Sequence, residues 1–310
     1  MKLNTRTLSL ACLTAFALLF AVSTPAQKIQ LPTQAHPPKA VIGDASATGT
    51  TQERPEHDAP SPASTQKCTY KFTSGSGTTY LQFCVTVDGN IVEFQSPAGV
   101  EHLSPQGSAP FEGYGVCDQS TSIGYFDYAY TDSGNWGAPT TVSHTATSVK
   151  IERTTSDGAW TLTQTISSVA GTNPYAKVVM ALKNNSGATK DVILLRFANA
   201  VPDMGGSTGK FFQDYDGTLD SAWGNTPYHS TNGSDPVGLM IQNVGNPTPV
   251  SVPYNRQGFA ITGTAGPDPC NSGANLASPI TEANGSTVYW YVLVLTKDQT
   301  VTISERYMSF

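Results

Sequence analysis

Two stretches of this 310-residue chain gather the side chains that could do chemistry. Residues 111–136 carry Tyr114, Asp127, Tyr128 and Trp136 among further acids and tyrosines, and residues 210–229 carry Asp214, Asp216, Asp220, Trp223, Tyr228 and His229. Aromatic rings beside carboxylates and amides suit sugar recognition, because the apolar face of a sugar stacks on a ring while its hydroxyls take hydrogen bonds. Both stretches interrupt the surrounding alternation with glycines and acids, so they are read as loops at the rim of a rigid scaffold, where ligand sites concentrate. The candidate ligand-binding residues are Tyr114, Tyr128, Trp136, Trp223, Tyr228 and Asp127. The competing reading places Tyr125, Tyr128 and Tyr130 in cross-strand or core contacts.

Other chemistries are less well supplied. Asp214, Asp216 and Asp220 around Gly217 have the oxygen spacing of a calcium loop, which makes calcium the one cofactor the sequence suggests, but an EF-hand requires a further Asp or Asn before the glycine and a Glu after it, and Asp-Gly turns are common without metal. Acid–base hydrolysis would need paired carboxylates, and Asp127 with Asp214 or Asp216 is the conceivable pair. A serine nucleophile lacks its G-x-S-x-G turn, and His102, His144 and His229 occur in unrelated contexts. Asn184, Asn232 and Asn284 each fit the N-glycosylation acceptor pattern. The formal charge of -6 comes without a basic cluster in the sequence, which disfavours nucleic acid and anionic membranes as partners.

These segments must be held by strands. Charged residues make up 13% of the chain, Thr, Val, Tyr, Phe and Ser abound, and no window keeps a long helical period. Residues 67–72 and 80–87, 85–87 and 91–95, and 149–155 and 160–168 read as hairpins, the second on Asp88-Gly89-Asn90. The run Val192-Ile193-Leu194-Leu195 expects burial on both faces. Residues 289–295 and 300–307 read as a closing pair of strands. The fold class expected is all-β: a large antiparallel β-sandwich over residues 67–310 with little helix.

The chain begins with Lys2 and Arg6, an apolar run from Leu8 to Val22 and a small-residue stretch ending at Ala26, the pattern of a cleaved signal peptide over 1–26. The run is shorter than the roughly 20 residues a membrane-spanning helix needs. Residues 27–66, rich in Pro, Ala, Thr and Ser, read as a disordered tether. A secreted or periplasmic destination follows, and Cys68, Cys84, Cys117 and Cys270 form an even set that expects two disulfides. Folding the first hairpin about Ser76 sets Cys68 opposite Cys84 and leaves Cys117 for Cys270.

The strand-turn-strand run Trp160-Thr161-Leu162-Thr163-Gln164-Thr165, Leu182-Lys183-Asn184-Asn185-Ser186-Gly187 and Asp191-Val192-Ile193-Leu194-Leu195-Arg196 resembles segments of uncharacterised bacterial exported β-sandwich proteins, some similar to the supersandwich domains of carbohydrate-active proteins. The resemblance implies fold and assigns no catalytic residue. The sequence thus points first to non-catalytic binding of an extracellular carbohydrate. A carbohydrate-active enzyme using loop carboxylates and a surface module recognising an extracellular protein are the alternatives.

Overall fold

Alternation of apolar with hydroxyl-bearing or charged side chains, as in Trp160–Val169 and Tyr175–Asn184, is the period of a strand that buries one face. The structure is a computed structural model that describes residues 67–103, 112–129, 131–200, 213–225, 238–262, 266–271, 276–277, 280–282 and 285–310. The signal peptide and the tether expected over 1–66 lie outside these residues, as do Tyr228 and His229.

Strands β1 (Tyr70–Ser74), β2 (Leu81–Val85) and β3 (Ile91–Gln95) form a small sheet in the order β1-β2-β3. Strands β4 (Glu112–Asp118), β5 (Ile123–Asp127), β10 (Lys190–Ala198), β14 (Tyr254–Thr262), β15 (Leu276–Ala277) and β17 (Gly285–Leu295) form a second sheet in the order β15-β14-β17-β10-β4-β5. The third sheet has nine strands: β6 (Thr140–His144), β7 (Ser148–Thr154), β8 (Trp160–Val169), β9 (Tyr175–Asn184), β11 (Gln213–Gly217), β12 (Ser221–Asn225), β13 (Gly238–Asn243), β16 (Ile280–Glu282) and β18 (Thr300–Ser309). Its order is β16-β11-β12-β13-β18-β9-β8-β7-β6, and every pairing is antiparallel. The two large sheets pack face to face, with Trp160, Leu162, Ile166, Val178, Met180, Leu182 and Ile303 on one side and Val192, Leu194, Tyr289, Tyr291 and Leu293 on the other. The expected antiparallel sandwich is therefore the fold.

Both disulfides form as paired in the sequence, Cys68–Cys84 and Cys117–Cys270. The register expected for the first does not hold. Lys71, not Cys68, stands opposite Cys84, because the turn is centred later, on a 3-10 turn at Gly77–Thr79, and Cys68 reaches its partner from the bend before β1.

The closing strand pair is also corrected: β17 lies between β14 and β10 in the six-stranded sheet, while β18 lies between β13 and β9 in the nine-stranded one. The short link 296–299 is thus a corner between layers. So is 185–189, which carries the chain from β9 to β10. The two corners are tied by Asn184, whose buried Nδ2 donates to the carbonyl oxygens of Ala188 (2.7 Å), Leu295 (3.0 Å) and Thr296 (3.2 Å). Its Oδ1 accepts from the Ser186 N–H and hydroxyl. An asparagine so enclosed serves the corner, and its acceptor-like Asn-Asn-Ser sequence follows from that role.

At the far end the layers approach to backbone contact. A Cβ on Gly258 would lie 1.9 Å from the Ser221 carbonyl oxygen, and the Gly258 N–H donates across the layers to Thr218 O at 2.7 Å. The near-continuous apolar β10 is buried on both faces as expected, since Leu195 and Phe197 join Tyr128, Ile261 and Val288 in a second cluster on the outside of the six-stranded sheet.

Candidate functional site

The segment 111–136, expected as a loop, is largely two strands, and this moves four candidate residues indoors. Tyr114 faces between the sheets from β4, fully buried, and so are Asp127 and Trp136. A side chain without accessible surface cannot stack on a sugar in solvent, which removes Tyr114, Tyr128, Trp136 and Asp127 from a ligand-facing role. The misleading glycines have a packing reason. Gly115 and Gly124 point outward beneath residues 266–271, which Cys117–Cys270 holds there, and a Cβ on Gly115 would meet Pro269 at 2.6 Å. Tyr128, buried in the outer cluster, donates its hydroxyl to Pro267 O at 2.7 Å.

What these residues build is an interlayer polar core. Arg153 on β7 donates through Nη1 to Asp127 Oδ2 at 2.5 Å and to Tyr114 Oη at 3.0 Å, and lies 5.6 Å from the Trp136 ring centroid. Asn90 caps the same carboxylate, donating to Asp127 Oδ1 at 3.0 Å. Alongside, Arg196 on β10 ion-pairs with Glu112, and Tyr307 donates to that carboxylate at 2.6 Å while the Ile91 N–H donates at 2.6 Å. Burial pushes Glu112 upward, opposed by Arg196, Ile91 and Tyr307. Glu305 on β18 shares this space, yet its carboxyl has no hydrogen-bond partner among the described residues. Burial raises it to about 8, with Arg196 opposing and Glu112 adding to the rise. One guanidinium cannot neutralise both carboxylates, and Arg196 Nη2, the Tyr307 hydroxyl and the Ile91 N–H all donate to Glu112, which favours the protonated form of Glu305. The Asp127 half of the conceivable catalytic pair is sealed within this core.

The second candidate stretch fares differently. Residues 213–225 form the β11-β12 hairpin, and Trp223 points away from the core, half-buried, on the outer face of the nine-stranded sheet. Cross-strand register places it in one row with Asp216, Met240 and Met308. The next row holds Gln242, Arg306, Lys177 and Ser167, with Gln242 accepting from Arg306 Nε at 2.7 Å and the Arg306 guanidinium 5.5 Å from the Tyr175 ring centroid. Beyond it, β8 presents Thr161, Thr163, Thr165 and Ser167, all part-exposed, as a file of hydroxyls. This face therefore combines aromatic, amide, hydroxyl and cationic groups in open rows. Arg306, Lys177 and Gln242 escaped sequence reading because each is a single outward residue on a different strand, and only sheet pairing unites them.

Two acids of the suspected calcium loop lie on β11 and the third in the turn that follows it. Asp214 is in register with Asn225 and Asp216 with Trp223, while Asp220 pairs with Arg256 at 2.8 Å. Among the described residues no three His, Cys, Asp or Glu side chains stand close enough to hold a metal ion.

Among the described residues no helix is long and apolar enough to cross a membrane, and the two disulfides fit an oxidising compartment. No protein-family model matches the chain, and no curated protein does. Among solved structures it is similar to a putative aldose 1-epimerase from Escherichia coli K12, at 11% identity and a TM-score of 0.41, covering 78% of this chain and 99% of that one. It is similar also to a bacterial glucoamylase complexed with acarbose, at 11% identity and 0.44, covering 81% of this chain and 34% of that one. A galactose mutarotase related enzyme from Lactobacillus acidophilus gives 7% identity and 0.39, covering 78% and 97%. At these identities and scores no residue, ligand or activity passes from those proteins to this one.

Proposed function

We propose that the domain binds an extracellular carbohydrate, without turnover, on the outer face of the nine-stranded sheet. The observation that supports this reading is the row built on Trp223: a part-exposed indole flanked across strands by Asp216 and Met240, one row from the Gln242 amide, with the Thr/Ser file of β8 four strands across the same face. An indole beside hydrogen-bonding groups offers one surface to the C–H face of a sugar and another to its hydroxyls. Sheet-borne groups are fixed by pairing on both sides, so little conformational freedom is lost on binding. Trp223→Ala is expected to abolish retention on a glycan array while leaving the thermal unfolding midpoint within a few degrees of the parent. Undiminished glycan binding by the variant would defeat the site.

A further inference from the structure

Resting on that reading, we infer that the carbohydrate taken by this face is acidic, a polysaccharide carrying carboxylate or sulfate groups. Arg306 and Lys177 stand directly opposite each other on β18 and β9. Like charges in such a pair repel, and an acid between them would relieve the repulsion. Here no acid does so: among the described residues neither side chain has an ion-pair partner, Arg306 being occupied by the neutral Gln242 and by the Tyr175 ring. Lys150 on β7 adds a third cation in the adjoining row, aligned with Thr165, Val179 and Ser304, and Lys183 a fourth further along β9. The acids that register places on this face are Glu152, which accepts from Thr163 at 3.0 Å, and Asp214 and Asp216 at the Trp223 end. Among the described residues of a chain with formal charge -6, four cations thus stand against three acids on this face, and the acids lie away from the Arg306–Lys177 pair.

An anion seated between Arg306 and Lys177 would convert the repulsive pair into two charge-assisted hydrogen bonds. The distances suit a polymer. Six residues separate Lys177 from Lys183 along β9, roughly 20 Å at the strand rise, while Trp223 lies two strands over from Arg306 and one row along. A single small anion would meet the Arg306–Lys177 pair and leave both the indole and the hydroxyl file unused. An acidic glycan meets all of them.

The test is titration of the full chain with dextran, dextran sulfate, polygalacturonate and polyphosphate at low and high salt. The parent chain is compared with Arg306→Gln/Lys177→Gln, with Trp223→Ala, and with Lys71→Gln, whose lysine lies on the small sheet against Glu93. The expected result is binding of dextran sulfate or polygalacturonate that weakens about tenfold or more in the Arg306/Lys177 variant, each charge-assisted bond being worth about that factor. It is lost in Trp223→Ala, unmoved in Lys71→Gln, and weaker at high salt. Preference between the two polymers identifies sulfate or carboxylate as the anion. Dextran binding that ignores the Arg306/Lys177 variant would overturn the acidic specificity and leave carbohydrate binding standing. Polyphosphate binding as tight as either acidic glycan and indifferent to Trp223→Ala would overturn it too, as would full displacement by inorganic sulfate at equal charge concentration. No binding to any polymer would overturn both readings. A circular-dichroism melt of each variant confirms that folding is unchanged.

Discussion

Replacing Glu305 by Gln is expected to make the protein progressively more stable than the parent as the pH rises from 5 to 8. Glu305 sits between the sheets with Arg196, Glu112, Tyr289, Tyr291 and Tyr307 around it, and finds no hydrogen-bond donor among the described residues. Its folded-state pKa is raised from 4.5 to about 8. Below 4.5 the residue is protonated in both folded and unfolded chains, so its contribution to stability is intact. Above 4.5 the unfolded chain releases the proton and the folded chain does not, so stability is lost at up to about 1.4 kcal/mol per pH unit until the pH passes the folded pKa. Across that window the loss is on the order of 5 kcal/mol, a large part of a typical domain's stability. Glutamine has the same shape and cannot ionise. Urea unfolding of both proteins at pH 5, 6, 7 and 8 should give a stability difference that starts near zero or slightly unfavourable to the variant, which buries an unpartnered amide, and then grows in its favour with that slope. The effect of Glu101, which burial also raises, is common to both proteins and cancels in the difference, whereas Glu112, which shares Arg196 with Glu305, titrates more easily once Glu305 is gone and adds in the same direction. A pH-independent difference would refute the reasoning, because it would mean that Glu305 is already ionised in the folded protein.

Other outcomes follow from the same geometry. Asn184→Ala removes the donor to the buried Leu295 carbonyl and to the Ala188 and Thr296 carbonyls that tie both layer-switching corners, and should cost about 1–3 kcal/mol in chemical denaturation. Expressed in a glycosylating host, the chain should show no glycan at Asn184 by peptide mass mapping, since its amide is buried. Gly258→Ala inserts a methyl where the layers touch backbone to backbone and should destabilise by about 1–3 kcal/mol or more, read as a lowered melting temperature. Millimolar calcium should leave the melting temperature unmoved, because Asp220 already holds Arg256, whereas a clear rise would show that a bound ion favours the folded state.

Local pattern carried much of the architecture. The alternation in residues 160–168 and the Asp-Gly turn at 88–89 each reflect a constraint acting within one strand or turn, and the even set of cysteines reflects the oxidising compartment. The disulfide pairing could be read while its register could not, since the turn at Gly77–Thr79 sits one residue or so away from the most obvious centre and each such shift moves the opposing residue by two. The 296–299 link has the length and composition of a hairpin, with Asp298 at a φ of 58°, yet it joins different layers; what decides this is its partnership with Asn184, more than a hundred residues earlier. The site was legible in part for a related reason. Trp223 stood out as an aromatic among acids, but strand glycines under a covering segment made 111–136 look like a loop and promoted Tyr114 and Trp136. Arg306 and Lys177 are ordinary outward residues on their own strands, and 129 positions of sequence separate two side chains that the sheet makes neighbours.

The Cys68–Cys84 bond determines how the domain meets a mechanical load. Cys68 precedes β1, and Cys84 lies on β2, the middle strand of the small sheet. Tension arriving through the chain before residue 67 therefore passes covalently from Cys68 into β2, and the residues between the two cysteines, β1 included, lie in a closed loop that carries none of it. The edge strand cannot be unzipped from its free end one hydrogen bond at a time. Force must instead act on the β2-β3 pair and on the phenylalanines that root it in the core, Phe83 and Phe94. Under pulling, oxidised protein should yield only at forces that dislodge β2, whereas reduced protein should first give a separate low-force step as β1 peels away.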